Sequence, residues 1–143
     1  MGRIKIVLPE KEIFKIQLPV RITDVNYGNH LGNDSLVSML HEARVSWLAS
    51  MQYSELNIEG HSVIMSDLAV SYVNESFYGD MLTFTLYFGE QSTAGFELFY
   101  LIETNRNDRK IIIAKAKTGI VFFDYQNRKI TTIPKEFLKK INP

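Results

Sequence analysis

Residues 24–51 read DVNYGNHLGNDSLVSMLHEARVSWLASM, and the two halves of this stretch have different grammars. In the second half Leu36, Val37, Leu40, Arg44, Trp47, Leu48 and Met51 recur at intervals of three and four, which at about 100° per residue places them on one face of a helix. Asn33 or Asp34 is the expected cap, because either side chain can accept a hydrogen bond from the first amides, and the helix is expected to run to about Met51. Arg44 interrupts the apolar stripe, so its stem should be buried and its head should reach a carboxylate or a carbonyl. The first half has no periodicity and is rich in glycine and asparagine, so it reads as a loop feeding the helix.

On the N-terminal side Phe14, Ile16, Leu18, Val20 and Ile22 alternate with Lys15, Gln17, Pro19 and Arg21, the period of a half-buried strand. Pro19 has no amide to donate, which marks that strand as an edge at this position. Beyond the turn at residues 57–60, four β-like stretches follow: Ser62 to Val73, Met81 to Phe88, Phe96 to Thr104 and Lys110 to Phe123. Short connections favour antiparallel neighbours, so the expected order is a strand, a helix and a four-strand meander. One long helix and one large sheet bury each other when the sheet curls around the helix. The expected class is therefore α+β, a curved antiparallel sheet of about five strands around one helix. Its free edges call for a partner, and a homodimer or a higher assembly is expected.

The length, 143 residues with 45% apolar and 22% charged, fits one globular domain over residues 1–143. The absence of cysteine excludes disulfides, thiolate zinc sites and a cysteine nucleophile. No apolar run approaches the roughly 20 residues of a membrane span, and no apolar signal region follows the first residues, so a cytoplasmic protein is expected. Charge is unevenly divided. Residues 1–104 carry 6 basic and 13 acidic groups, whereas residues 105–143 carry 10 basic and 3 acidic groups. Such a basic segment suits either a phosphorylated ligand or the acidic half of the same chain.

Chemistry concentrates in residues 24–34. Asp24, His30 and Asp34 offer acid–base groups and Asn26, Asn29 and Asn33 offer amides, all beside a helix N-terminus whose first amides lack internal partners. Other motifs are missing: His41-Glu42-Ala-Arg44-Val45 has valine where a zinc helix needs its second histidine, and no nucleophile elbow or phosphate-binding glycine loop occurs. No metal is expected. The basic and aromatic residues of the C-terminal third lack a stacking pattern, so no nucleic-acid partner is expected.

Asp24 to Asp34, followed by His41-Glu-Ala-Arg44, resembles the signature of the hotdog-fold thioesterases of the 4-hydroxybenzoyl-CoA thioesterase type, Asp-x-Asp-x-x-Gly-His-Val-Asn-Asn before a helix with Glu-Ala-Arg. Ser76-Phe-Tyr-Gly-Asp80-Met-Leu resembles that family's entry into its third strand. Residues 114–124 resemble its last long strand, and Ile133-Pro134 with Glu136 resembles its ending. The resemblance implies a hotdog fold, dimers or tetramers, and hydrolysis of acyl thioesters of coenzyme A or acyl carrier protein. It implies no cofactor besides the coenzyme A of the substrate.

One position departs from the pattern. The family's catalytic aspartate falls on Asn26, while Asp24 matches the first aspartate, His30 the histidine, and Asn29 stands for the glycine before it. A carboxylate must then come from elsewhere. Asp34 is expected to activate water, with Asn26 and His30 positioning it and Asp24 as the other acidic candidate. Tyr27, Gly28, Asn29 and Asn33 are the expected substrate contacts, and Arg106, Arg109 and Lys110 the expected partners of the coenzyme A phosphates. The alternative is a hotdog protein that binds acyl-CoA without hydrolysing it.

Overall fold

The computed structural model describes residues 2–143. Its elements in chain order are β1 (Glu12–Pro19), a 3₁₀ turn (Ile22–Asp24), α1 (Asn33–Ser50), β2 (Ser62–Tyr72), β3 (Met81–Gln91), β4 (Gly95–Arg106), β5 (Arg109–Asp124), β6 (Lys129–Ile130) and α2 (Lys135–Ile141). All strand pairs are antiparallel, in the order β1-β3-β4-β5-β2, with the short β6 beside β5.

The sheet's inward face follows the period of two. Leu82, Phe84 and Leu86 of β3, Leu98, Tyr100 and Ile102 of β4, and Ala114, Ala116 and Thr118 of β5 are all fully buried. Against them α1 lays Leu36, Met39, Leu40, Ala43, Arg44, Trp47 and Leu48. The stripe is wider than its sequence spacing indicates, because Met39 and Ala43 join it while Val37 and Met51 are half-buried at its margins.

Arg44 does reach a carboxylate. Its Nε donates to Glu55 Oε2 at 2.9 Å and its Nη1 to the Tyr100 hydroxyl at 3.1 Å, which in turn lies 2.8 Å from Thr118 Oγ1. Burial alone would raise the Glu55 pKa. The hydrogen bonds from Arg44 and His41 outweigh it and hold this carboxyl below its usual range.

Three expectations need correction. The first strand stops at Pro19, not Ile22: the Arg21 amide donates to the Asp24 carboxylate at 2.9 Å, which folds the chain into the 3₁₀ turn and leaves Ile22 67% exposed. The last four strands are not a simple meander. β3, β4 and β5 are, but β2 pairs only with β5 at the far edge. The connection at 73–80 crosses the end of the sheet, three strand positions of about 4.8 Å each, a span well within the reach of that many residues. Finally, neither Asn33 nor Asp34 caps α1. Gly32 occupies the cap position and has no side chain to offer, so among the described residues the one side-chain bond to a first-turn amide is that of Asp34 to Asn33 Oδ1.

The closing helix α2 is an element that the sequence pattern did not indicate. Its Phe137 is fully buried against Trp47, Phe96 and Phe122, with ring centroids 6.2, 5.4 and 5.7 Å away. Trp47, 2% exposed, is the helix α1 member of this aromatic plug. Trp47→Ala is expected to cost about 3 to 5 kcal/mol in chemical denaturation, since it opens a cavity among rings that cannot all relax into it. A loss below about 1 kcal/mol would contradict this packing.

Candidate active site

The loop before α1 is a closed turn. Val25 and Leu31 form a β-bridge, the Asn26 amide donates to the His30 carbonyl at 2.9 Å, and the Asn29 amide donates to the Asn26 carbonyl at 3.0 Å. The Asn26 carboxamide is part of the turn, because its Oδ1 accepts from the Gly28 amide at 2.9 Å. Asn29 takes a left-handed conformation with φ 68°, one that asparagine tolerates better than most side chains. The turn is then sewn to its surroundings: the Gly32 amide donates to the Asp24 carbonyl at 2.9 Å and the Leu31 amide to the Ser76 carbonyl at 2.7 Å.

Two glycines make room for the polar groups. A methyl group on Gly28 would lie 3.1 Å from His30 Nε2 and 3.2 Å from Asn26 Oδ1, and one on Gly32 would lie 2.7 Å from Asp34 Oδ1 and 3.6 Å from Asn26 Cβ. Asn26 thus sits between His30 and Asp34. The ring of His30 is oriented by its own chain, with Nδ1 3.2 Å from the Leu31 carbonyl. A carbonyl only accepts, so in the neutral ring Nδ1 carries the hydrogen and Nε2 keeps its lone pair.

These groups open into a cavity of about 890 Å³ at the start of α1. Asn26, Tyr27, His30, Asn33 and Asp34 line it, whereas Gly28 and Asn29 shape the turn without lining the wall. The opposite wall comes from residues that the loop sequence does not announce, chiefly Tyr72, Asn74, Ser76 and Ile113. Tyr72 ends β2 in phase with Leu68 and Val70, and that phase was the available signal. Its hydroxyl donates to the Asn33 carbonyl at 2.9 Å, tying the edge strand to the first turn of the helix. Burial and the nearby Asp34 charge both raise its pKa, so it stays a donor.

The first amides of α1, those of Asn33 to Ser35, have no acceptor within the helix, and only that of Asp34 is taken locally, by Asn33 Oδ1 at 2.9 Å. The open amides are aligned donors at the positive end of the helix dipole, suited to a polarised carbonyl oxygen. Among the described residues no group of three or more histidine or carboxylate side chains gathers as a metal would require.

Four expected residues stand elsewhere. The Asp24 carboxylate is 7% exposed and turned away from this cavity, bound to the Arg21 amide and 3.3 Å from the Arg21 guanidinium. Arg106 is held by Asp80 at 2.7 Å and lies over the Phe77 ring at 5.1 Å. Arg109 and Lys110 are exposed at the β4–β5 hairpin and do not line the cavity.

The family model described as the thioesterase-like superfamily matches residues 20–141. No curated protein matches the chain. Among solved structures, a 1,4-dihydroxy-2-naphthoyl-CoA thioesterase from Synechocystis is 23% identical, with 90% of this chain and 95% of that one covered and a TM-score of 0.80. A Staphylococcus aureus protein in complex with CoA is 15% identical, with 96% and 85% covered and a TM-score of 0.79. An aspartate-to-asparagine mutant of 4-hydroxybenzoyl-CoA thioesterase, complexed with 4-hydroxybenzoyl-CoA, is 14% identical, with 88% and 96% covered and a TM-score of 0.78. At these identities the likeness is one of fold, the hotdog arrangement of a curled sheet around one helix.

The 73–80 wall of the cavity depends on Asp80, whose Oδ2 accepts from the Ser76 hydroxyl, the Phe77 amide and Arg106, at 2.9, 2.9 and 2.7 Å. Burial would raise this carboxyl's pKa, but the Phe77, Ser76 and Arg106 hydrogen bonds lower it overall. A depressed folded-state pKa gives stability that is present above the unfolded value, about 3.9, and lost as the pH falls through the lower folded value. Asp80→Asn should therefore destabilise the protein at neutral pH, and the gap from the wild type should close as denaturation is repeated at successively lower pH below about 4. A gap independent of pH would contradict the assignment.

Proposed function

We propose that this chain, which belongs to the thioesterase-like superfamily, hydrolyses an acyl thioester of coenzyme A or acyl carrier protein in the cavity at the start of α1. The observation that carries this reading is the meeting of a carboxylate, Asp34, with the open amides of the same helix end in one cavity. The thioester carbonyl oxygen points at those amides, which grow stronger as partners when it becomes an oxyanion. Asp34 takes a proton from water as the water oxygen attacks the carbonyl carbon. The tetrahedral intermediate then expels the thiolate, and the protonated Asp34 returns the proton to sulfur. Asn26 and His30 Nε2 orient the water, and Tyr72 holds the Asn33 peptide still. No covalent enzyme intermediate and no cofactor are needed.

Asn26 supports this division of labour, since its Oδ1 is already committed to the Gly28 amide and an amide cannot act as the base. Asp24 keeps a structural role through Arg21. Two copies pairing along β2 form the proposed dimer, because β2 bonds only to β5 and exposes Met65 and Leu68 at 45% and 38%.

Asp34→Asn should keep the fold and lower kcat by about 100-fold or more, the scale of a lost general base. Asn26→Asp should keep activity and partly rescue Asp34→Asn, whereas Asp24→Asn should act mainly on stability. Steady-state thiol release from one good acyl-CoA compares all four proteins and the wild type, with no thiol background from a chain lacking cysteine. Full activity in Asp34→Asn removes Asp34 from the mechanism. An inactive wild type beside an active Asn26→Asp would support a binding protein instead. For the dimer, Leu68→Asp is expected to halve the mass measured by light scattering; an unchanged mass rejects β2 pairing.

A further inference from the structure

Residues 2–11 carry the chain from one side of the sheet to the other. The Lys11 carbonyl accepts from the Phe88 amide beside the start of β1, and Arg3 donates through Nη2 to the carbonyl of Tyr72, the last residue of the opposite edge strand. Ile6, Leu8 and Pro9 are half-buried along this path, while Arg3 and Lys5 are exposed. Between Gly2 and Pro9 there is no acidic residue.

Tyr72 belongs to the wall of the α1 cavity, so the guanidinium on its carbonyl stands at the rim. The local balance of charge makes this position matter. The cavity wall contains Asp34 and Glu75 and no lysine or arginine, so an anionic ligand needs its cation from outside the wall. Two basic residues are already engaged: Arg106 with Asp80 at 2.7 Å, and Lys117 with Glu97 at 3.1 Å and Asp67 at 3.4 Å. Lys110 and Arg109 lie three and four residues along β5 from Ile113, the wall residue on that strand, which is about 10 to 13 Å at the rise of a strand. Arg3 has the Tyr72 carbonyl as its one hydrogen-bond partner among the described residues, and no carboxylate pairs with it. A guanidinium has five donors in a planar fork, so one bond to a carbonyl leaves a face able to grip two phosphate oxygens.

We propose that Arg3, with Lys5 beside it, is the phosphate-binding element of this site, recruited from the N-terminal segment and not from the basic C-terminal third. The ligand class is a phosphate-bearing pantetheine thioester, its acyl end toward Asp34 and its phosphates over the end of β2. This placement rests on the thioester reading above, but the binding of coenzyme A tests it without turnover.

The experiment measures coenzyme A binding by calorimetry, at low and at physiological salt, to the wild type, Arg3→Gln, Arg3→Lys and the double variant Arg109→Gln/Lys110→Gln. Arg3→Gln should weaken binding by about 5- to 10-fold and flatten its salt dependence, as expected for a solvent-exposed guanidinium–phosphate pair, and Arg3→Lys should fall between. The hairpin double variant should weaken it less than Arg3→Gln. In parallel, one acyl group is presented as its coenzyme A thioester and as its N-acetylcysteamine thioester, which has no phosphate. The ratio of kcat/KM for the first over the second should fall by the same factor in Arg3→Gln. Unchanged coenzyme A affinity in Arg3→Gln, a larger loss in the hairpin variant, an equal change for both thioesters, or no coenzyme A binding by the wild type would each overturn the proposal. If the wild type cleaves neither thioester yet Arg3→Gln still loses coenzyme A, the phosphate site stands and the hydrolase reading falls.

Discussion

The hydrogen bond from the Gly32 amide to the Asp24 carbonyl, 2.9 Å long, determines where the helix begins, and the functional end of the molecule depends on it. It closes residues 24–32 into a turn and presents Asn26 and His30 on one side. It also leaves the helix capped by a residue with no side chain. A serine or aspartate at the cap would strengthen α1 by only about a few tenths of a kcal/mol over glycine and would cover the amides to which the proposed function assigns the carbonyl. The helix is instead secured from outside, by Leu31 on the Ser76 carbonyl and by Tyr72 on the Asn33 carbonyl. Stability is supplied at a distance and the Asn33 and Ser35 amides stay free, the arrangement that the proposed polarisation of a carbonyl requires.

The same economy appears in the charges. Two basic residues of the last third answer acids of the first part of the chain. Arg106 braces Asp80 and with it the 73–80 wall, and Lys117 bridges Glu97 and Asp67 across the outer face of the sheet. A further cation is brought to the cavity rim from the other end of the chain, where Arg3 reaches the β2 edge.

These arrangements explain what the sequence disclosed and what it did not. Strands whose side chains alternate against one helix, such as Phe84 to Phe88 or Leu98 to Ile102, were legible because burial on one face writes itself into a period of two. The helix was legible for the same reason at 3.6 residues. Strand order was not, because the β2–β3 connection is short enough for a hairpin and long enough for a crossing, and the choice is made by pairing with β1 and β5. Helix α2 escaped because seven residues hold too few turns for a clear period. At the site, the loop cluster was legible as chemistry, but side-chain direction was not: Asp24 and Asp34 look equivalent in sequence, yet one is spent on Arg21 and the other opens on the cavity. Tyr72, Asn74 and Ile113 reach the wall only through tertiary structure.

The central claim is that the start of α1 polarises a thioester carbonyl. Isotope-edited infrared spectroscopy of a ¹³C=O-labelled acyl-CoA bound to Asp34→Asn reads that bond itself. The account predicts a carbonyl band displaced to lower wavenumber and narrowed relative to the same thioester in water, because fixed amide donors replace fluctuating solvent. A bound thioester whose carbonyl band keeps its position and width in water would contradict it.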